Sequence, residues 1–329
     1  MSLDKYIRPF PRVIRIEPSG ACNLTCSHCP TGTVKMARGV MKEETFQSVL
    51  RCMEGNLDAI QVVVLYHGGE PLLHKGFVDM ARTVKELGVP HVKTVSNGML
   101  LNEETIAGIV ASNIDMIEFS LDGESPEENN LIRRNCDYDT VVGNIKRLIR
   151  YRRKQKSRTP EIFIGSAQFL TKETHHGKDQ QPVPPDYLVK EFSGEYAGEI
   201  AGFKCLFAMR WPHMEVLEDF YDVYYDPYDT EVKNYCDNVD HTLTVRWNGD
   251  VVACCFDLTS DYVLGNVLGE ELSTIWNNKR YLDLRRSIDT MQFVPMCANC
   301  NTVKPNVYLT LKPEVKDGLG QTGPLGKSN

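Results

Sequence analysis

No apolar run in this chain of 329 residues approaches the ~18 consecutive residues that span a bilayer. The opening stretch MSLDKYIRPFPRV lacks the apolar core of a secretion signal. These two absences predict a cytoplasmic protein with no membrane partner. Basic blocks are also missing, apart from the short run Arg150–Arg158. With 37 Lys+Arg against 44 Asp+Glu, the net charge is −7. That balance leaves no electrostatic footprint for nucleic acid. There are no internal repeats and no low-complexity segments. A hydrophobic share of 42% and a charged share of 25% exclude the disordered and fibrous classes. The length suits about two domains of roughly 150 residues each.

Cysteine is what the chain has in excess, with eleven residues. In a reducing compartment, clustered cysteines point to metal or redox chemistry rather than disulfides. The odd count also argues against a closed disulfide framework.

Strand-like and helix-like segments alternate over the first two-thirds. Strand candidates are Val13–Glu17, Ala59–Tyr66, His91–Val95, Asp115–Leu121 and Glu161–Phe169, with a sixth near Gly202–Arg210. Met41–Met53, Phe77–Leu87, Glu103–Ala111 and Tyr138–Lys154 read as helices between them, and Asp186–Tyr196 as one more. Repeated βα units predict a parallel sheet, open or curled into a barrel. Polar or Gly-rich turns follow the strands: GGEP at 68–71, SNG at 96–98 and SLDG at 120–123. In such folds ligands bind at the carboxyl ends of strands. Residues 176–185 read as a loop, the pair His175-His176 as exposed, and Val216–Tyr235 as acidic and without period. Thr242–Phe256 carries a hairpin signal around Asn248-Gly249. A helix is expected over Glu271–Ser287, and a frayed tail from Lys312. Arg150–Arg158 reads as the solvated end of a helix.

Two cysteine constellations stand out. Cys22, Cys26 and Cys29 follow the first strand within eight residues. Three thiolates leave an inorganic centre one corner short, which is what catalysis requires. A zinc knuckle completed by His28 or a distant cysteine is the alternative. The second constellation is Cys236, Cys254, Cys297 and Cys300. Four thiolates close either an iron–sulfur cluster or a structural zinc site, and spacing alone does not separate them.

CNLTCSHC after the first strand resembles the CxxxCxxC signature of the radical S-adenosylmethionine (radical SAM) enzymes. The turns GGEP, SNG and SLDG, in order at successive strand ends, resemble that family's SAM-contacting turns. The likeness covers about residues 10–210 and implies an α/β fold, a partial (β/α)6 TIM-type barrel. The later cysteines, with LGN…IW…LR…CANC, are similar to the family's SPASM/Twitch extension. Asn306 stands where a further cysteine would belong, which implies a single auxiliary cluster. The implied division is a barrel over 1–212, an auxiliary-cluster domain over 213–311 and a flexible tail over 312–329.

Carried over residue by residue, the resemblance implies that Cys22, Cys26 and Cys29 ligate a [4Fe–4S] cluster whose fourth iron takes SAM. It implies that Gly68, Gly69 and Glu70 hold the SAM ammonium, and that Ser96, Asn97 and Ser120 bond its ribose or carboxylate. His28 would lie near the adenine, and Arg133 would face the SAM carboxylate. Cys236, Cys254, Cys297 and Cys300 would hold a second [4Fe–4S] cluster. Cys255 is the alternative to Cys254 as ligand, or a hydrogen-atom donor that would make the reaction an epimerisation; Cys205 is a second donor candidate, with core packing its favoured reading. Cys52 and Cys136 are expected to pack.

The implied activity is that of an oxidoreductase. It would cleave SAM reductively to a 5′-deoxyadenosyl radical and dehydrogenate a sugar- or cyclitol-type alcohol, with the auxiliary cluster taking the electron. A flavodoxin or ferredoxin would supply the reducing electron. Cys22 comes so early that no additional peptide-binding domain is expected before the barrel. Peptide or protein side-chain modification is the second enzymatic reading, and a zinc-binding structural protein is the reading of another class.

Overall fold

The computed structural model describes residues 3–170, 181–212 and 214–319. Six parallel strands form its centre: β1 (Val13–Ile16), β2 (Val62–Val64), β3 (His91–Ser96), β4 (Met116–Ser120), β5 (Glu161–Gln168) and β6 (Ile200–Phe207). Each lies parallel beside its sequence neighbour, as consecutive βα units do. The crossovers are made by α1 (Pro30–Thr33) and α2 (Glu43–Glu54), by α3 (Phe77–Glu86) and α4 (Glu103–Ala111), and by α5 (Pro126–Ile132), α6 (Tyr138–Lys154) and α7 (Asp186–Glu191). Side-chain caps start several of them: Asn102 accepts from the Thr105 amide, Ser125 from Glu128 and Asp137 from Thr140.

Strand alternation divides the side chains. Ile14, Ile16, Val92, Ile117, Ile162 and Ile164 are buried in a core shared with the helices. Arg15, Val95, Glu118 and Gly165 line the opposite, interior face.

The C-terminal third does not stand apart. Strand β8 (Thr242–Val245) pairs parallel to the free edge of β1, so the sheet continues through β9 (Asp250–Val252) and β10 (Val263–Asn266). The hairpin turn falls at Asn248-Gly249 as its sequence requires, with Gly249 at φ +88°. A separate antiparallel pair, β7 (Tyr221–Tyr225) with β11 (Val307–Leu311), bridges to Leu170 and Met209 beyond the ends of β5 and β6.

Several expectations need correction. The helix expected over Glu271–Ser287 is two: α9 (Leu272–Trp276) and α10 (Lys279–Asp289), with α8 (Asp237–His241) ahead of them and α11 (Pro295–Ala298) behind. The break falls where the Asn278 side chain caps α10 by accepting from the Tyr281 amide. The segment Val216–Tyr235 contains β7, a strand that exists only by pairing with β11. The tail expected to fray from Lys312 begins with a helix, α12 (Pro313–Leu319). The basic run ending α6 is not simply solvated. Arg152 is buried, donates to the Pro160 carbonyl and pairs with Glu199 at 2.6 Å. The pair His175-His176 lies outside the described residues. No helix among the described residues is long and apolar enough to cross a membrane.

Candidate active site

The loop after β1 delivers Cys22, Cys26 and Cys29 to a cavity of about 490 Å3 at the carboxyl ends of the parallel strands. The turns that follow β2, β3 and β4 reach the same space and bring Gly68, Gly69, Glu70, Ser96, Asn97 and Ser120. The structure therefore gathers every residue of the proposed SAM-side set around one cavity.

Gly69 shows why this turn needs glycine. A Cβ there would fall 2.3 Å from the carbonyl oxygens of both Ser19 and Ala21. The Glu70 amide bonds the Ala21 carbonyl at 2.8 Å, locking the turn onto the cysteine loop. The Glu70 carboxylate is buried and accepts from Leu72 N (3.1 Å), Ser96 Oγ (2.8 Å) and Asn97 N (2.7 Å). Ser96 Oγ in turn accepts from Gly98 N at 3.0 Å. Ser96 thus acts on Glu70. The side-chain amide of Asn97 reaches Asn23 Oδ1 at 2.8 Å and Cys22 Sγ at 3.8 Å. Burial pushes the Glu70 carboxyl above its ordinary range in spite of these donors. A cation in the cavity would hold it ionised.

Burial and the nearby thiols also push Cys26 up to about 12, against the opposing Arg133 charge. Burial raises Cys22 likewise. Such thiols give up their protons to a cationic centre rather than to water. Beside Cys26, Arg133 Nη1 donates to Asp122 Oδ2 at 2.6 Å, while its buried Nε has no protein partner. His28 Nε2 lies 3.5 Å from the same Asp122 oxygen, and its ring meets Phe169 edge-on at 5.7 Å. Phe169 stacks on Tyr221 of β7 at 5.2 Å. The separate sheet therefore supports the wall of the cavity.

Sequence reasoning gave no role to Glu17, at the end of β1. It is fully buried and joins three neighbouring strand ends. Its carboxylate accepts from Gly68 N (2.9 Å), Trp247 N (3.1 Å) and Arg246 Nε (3.2 Å). His67 Nδ1 stands 3.3 Å away, and His67 Nε2 lies 3.2 Å from the Cys255 carbonyl. Burial would raise the Glu17 carboxyl; His67, Arg246 and the Trp247 amide outweigh it and hold it down at about 2. A lone acid ending a strand carries no local signal for this.

In the C-terminal third, Cys236, Cys254, Cys297 and Cys300 are all buried, and their charges act on one another. Burial, with the other thiols, pushes Cys297 up to about 12 and, against backbone donors, Cys236 to about 11. Cys254 is buried beside these thiols; Cys255 lines the barrel cavity near Arg15 and Tyr66, and its charge also acts on Cys236 and Cys300. Cys205 takes the opposite face of β6 from Lys204 and Leu206, which line the cavity. Cys52 packs in the core and donates to Glu271 at 3.1 Å.

Among the described residues, no three His, Cys, Asp or Glu side chains converge closely enough for a single metal ion. A cubane cluster is larger and takes thiolates that surround a space rather than a point. The three loop thiols opening on one cavity, the glycine cradle and the buried Glu70 fit a cluster with SAM.

The Radical SAM superfamily model matches residues 16–163, and the SPASM iron–sulfur cluster-binding domain matches residues 236–301. The chain is 24% identical over 325 residues to the tungsten-containing aldehyde ferredoxin oxidoreductase cofactor-modifying protein of Pyrococcus furiosus, covering 88% of this chain and 87% of that one. It is 33% identical over 142 residues to the mycofactocin maturase MftC of Mycobacterium ulcerans, covering 42% and 36% of the two chains. Among solved structures it shares the fold of BtrN in complex with AdoMet and 2-DOIA, with a TM-score of 0.59, 16% identity and coverage of 90% and 95%. The AdoMet-bound structure of anSMEcpe also gives 0.59, at 15% identity and coverage of 95% and 96%. The chain carries a radical SAM domain over residues 16–163 and a SPASM iron–sulfur cluster-binding domain over residues 236–301, the two parts of a radical SAM enzyme that uses SAM and iron–sulfur clusters.

Proposed function

We propose that Cys22, Cys26 and Cys29 hold the SAM-binding [4Fe–4S] cluster and that Cys236, Cys254, Cys297 and Cys300 hold one auxiliary cluster. The barrel spans residues 1–212 in this reading and the auxiliary unit 213–311. The observation that carries it is the meeting of the three loop thiols, the glycine cradle and Glu70 around a single cavity. SAM bound at the reduced cluster supplies a 5′-deoxyadenosyl radical able to take a hydrogen atom from substrate.

The chain's own residues bind, orient and exclude water. Glu70 faces the SAM ammonium, positioned by Ser96 Oγ and the Asn97 amide. The close backbone approach at Gly69 brings the turn against the cysteine loop. Arg133, fixed by Asp122, keeps its Nε for the carboxylate of SAM. The strand pair β7–β11 covers the ends of β5 and β6 and limits solvent entry. The auxiliary thiols are four, so the cluster they hold has no open corner for substrate and suits electron transfer.

The substrate reading is dehydrogenation of a small sugar- or cyclitol-type alcohol. The cavity has the size of a small-molecule site, and one solved neighbour was captured with 2-DOIA. Modification of a peptide is the second reading, since other neighbours were solved with peptides. Anaerobically reconstituted protein, reduced in the presence of SAM, should release 5′-deoxyadenosine. Release stimulated by alcohols and not by peptides supports the first substrate reading, and the reverse supports the second. No release under strong reductant overturns the function.

A further inference from the structure

Arg15 sits in the middle of β1, between Val64 of β2 and Thr244 of β8. Its neighbours Ile14 and Ile16 are fully buried on the helix side, so alternation sends Arg15 into the barrel. There it lines the same cavity as the three loop thiols. Its Nε and Nη1 are buried and have no hydrogen-bond partner. A guanidinium carries five donors and cannot lose its proton, so a buried one needs acceptors. Close by are the Tyr66 ring, whose centroid is 5.7 Å from Cζ, and the Cys255 thiol, which bonds the guanidinium and leaves Nε and Nη1 without acceptors. Neither offers the planar pair of oxygens that a guanidinium fork matches.

The surrounding charge has the same sign. Lys204 on β6 also lines the cavity and donates to Glu118 Oε2 at 2.8 Å. Lys93 shares the inner face of β3 with Val95. Burial, Lys204 and Arg15 depress its pKa, opposed by Glu118. Three cations thus face one carboxylate and the Cys255 thiol. Toward the thiols the acids are engaged: Asp122 by Arg133, Glu70 by its three donors.

We infer that the inner end of the cavity is an anion site, and that the substrate carries a phosphate or carboxylate group bound by Arg15 with Lys204. This rests on the proposed function only in taking the cavity as the place where substrate sits. Arg15 then fixes which end of the substrate points away from the cluster loop and determines specificity for acidic over neutral molecules.

The test uses the full chain, reconstituted with both clusters and SAM, titrated calorimetrically with methyl phosphate, acetate and, as neutral control, glycerol. The wild type should bind one of the two anions and not glycerol, and the anion that binds identifies the group. R15Q should weaken that binding about tenfold or more, as loss of a charge-assisted contact does. K204Q changes a side chain 41% exposed, so its fold is not at stake. It should weaken binding in the same direction, by about threefold. Anion binding unchanged in both variants, or absent from a wild type that holds SAM, overturns the inference alone. Failure of the wild type to hold SAM overturns the proposed function instead.

Discussion

Replacing Glu17 with glutamine removes one charge from the seam between the barrel and the SPASM domain. The carboxyl falls from an ordinary 4.5 to about 2 in the folded chain. At neutral pH this corresponds to about 3 kcal/mol of stability. The figure agrees with the roughly 3–5 kcal/mol lost when one member of a buried ion pair is removed. The partners left behind are His67, at 3.3 Å, and Arg246, only 3% exposed, whose remaining side-chain contact is Ser260 Oγ at 2.6 Å. For a chain of this size the melting temperature should drop by about 4 °C.

The pH dependence gives a sharper signature. A depressed carboxyl contributes fully above its unfolded value and loses that contribution as pH falls through the folded one. The Glu17 carboxyl itself should therefore contribute no pH dependence from pH 8 to pH 5. The gap between wild type and E17Q should narrow below about 4.5, as the carboxyl takes up its proton in the unfolded chain while the folded one stays ionised down to about 2. Circular dichroism melts of both proteins across that range measure it. A variant melting within about 2 °C of wild type at pH 7 refutes the reasoning, because Arg246 would then be indifferent to its partner.

Gly69→Ala should weaken SAM binding about tenfold or more in equilibrium dialysis, since its Cβ would lie 2.3 Å from two carbonyl oxygens; unchanged affinity would show that the turn yields freely. Asp122→Asn should cost about 3–5 kcal/mol in denaturant unfolding by leaving Arg133 buried without its counter-charge. Burial works against the Asp122 carboxyl, yet Arg133 and His28 hold it below its ordinary 3.8, so its contribution is complete above that pH and fades below it. Cys254→Ser should lose the iron of the auxiliary cluster, whereas Cys255→Ser, on the cavity side, should keep it. Iron analysis with the opposite result would exchange the two roles.

Much of the site could be read from the chain because it is built from local segments. The spacing of Cys22, Cys26 and Cys29 and the turns GGEP, SNG and SLDG are short-range patterns, and strand alternation places each turn at the same end of a parallel sheet. Elements that exist only by long-range pairing were not readable. Strand β7 needs β11, 82 residues later by the numbering of their first paired residues Tyr225 and Val307, and its acidic, tyrosine-rich sequence has no period of its own. Glu17 looked like the last residue of a strand until Gly68, Arg246 and Trp247 came to meet it. Cys254 and Cys255 are adjacent in sequence, and only the fold puts Cys255 at the cavity wall while both stay within reach of the auxiliary thiols. The sequence by itself determined which chemistry the chain carries, because ligand spacing within a loop is a local property. Tertiary structure alone decided which charges face one another inside the barrel, because burial and the partners of a buried charge are set by segments far apart along the chain.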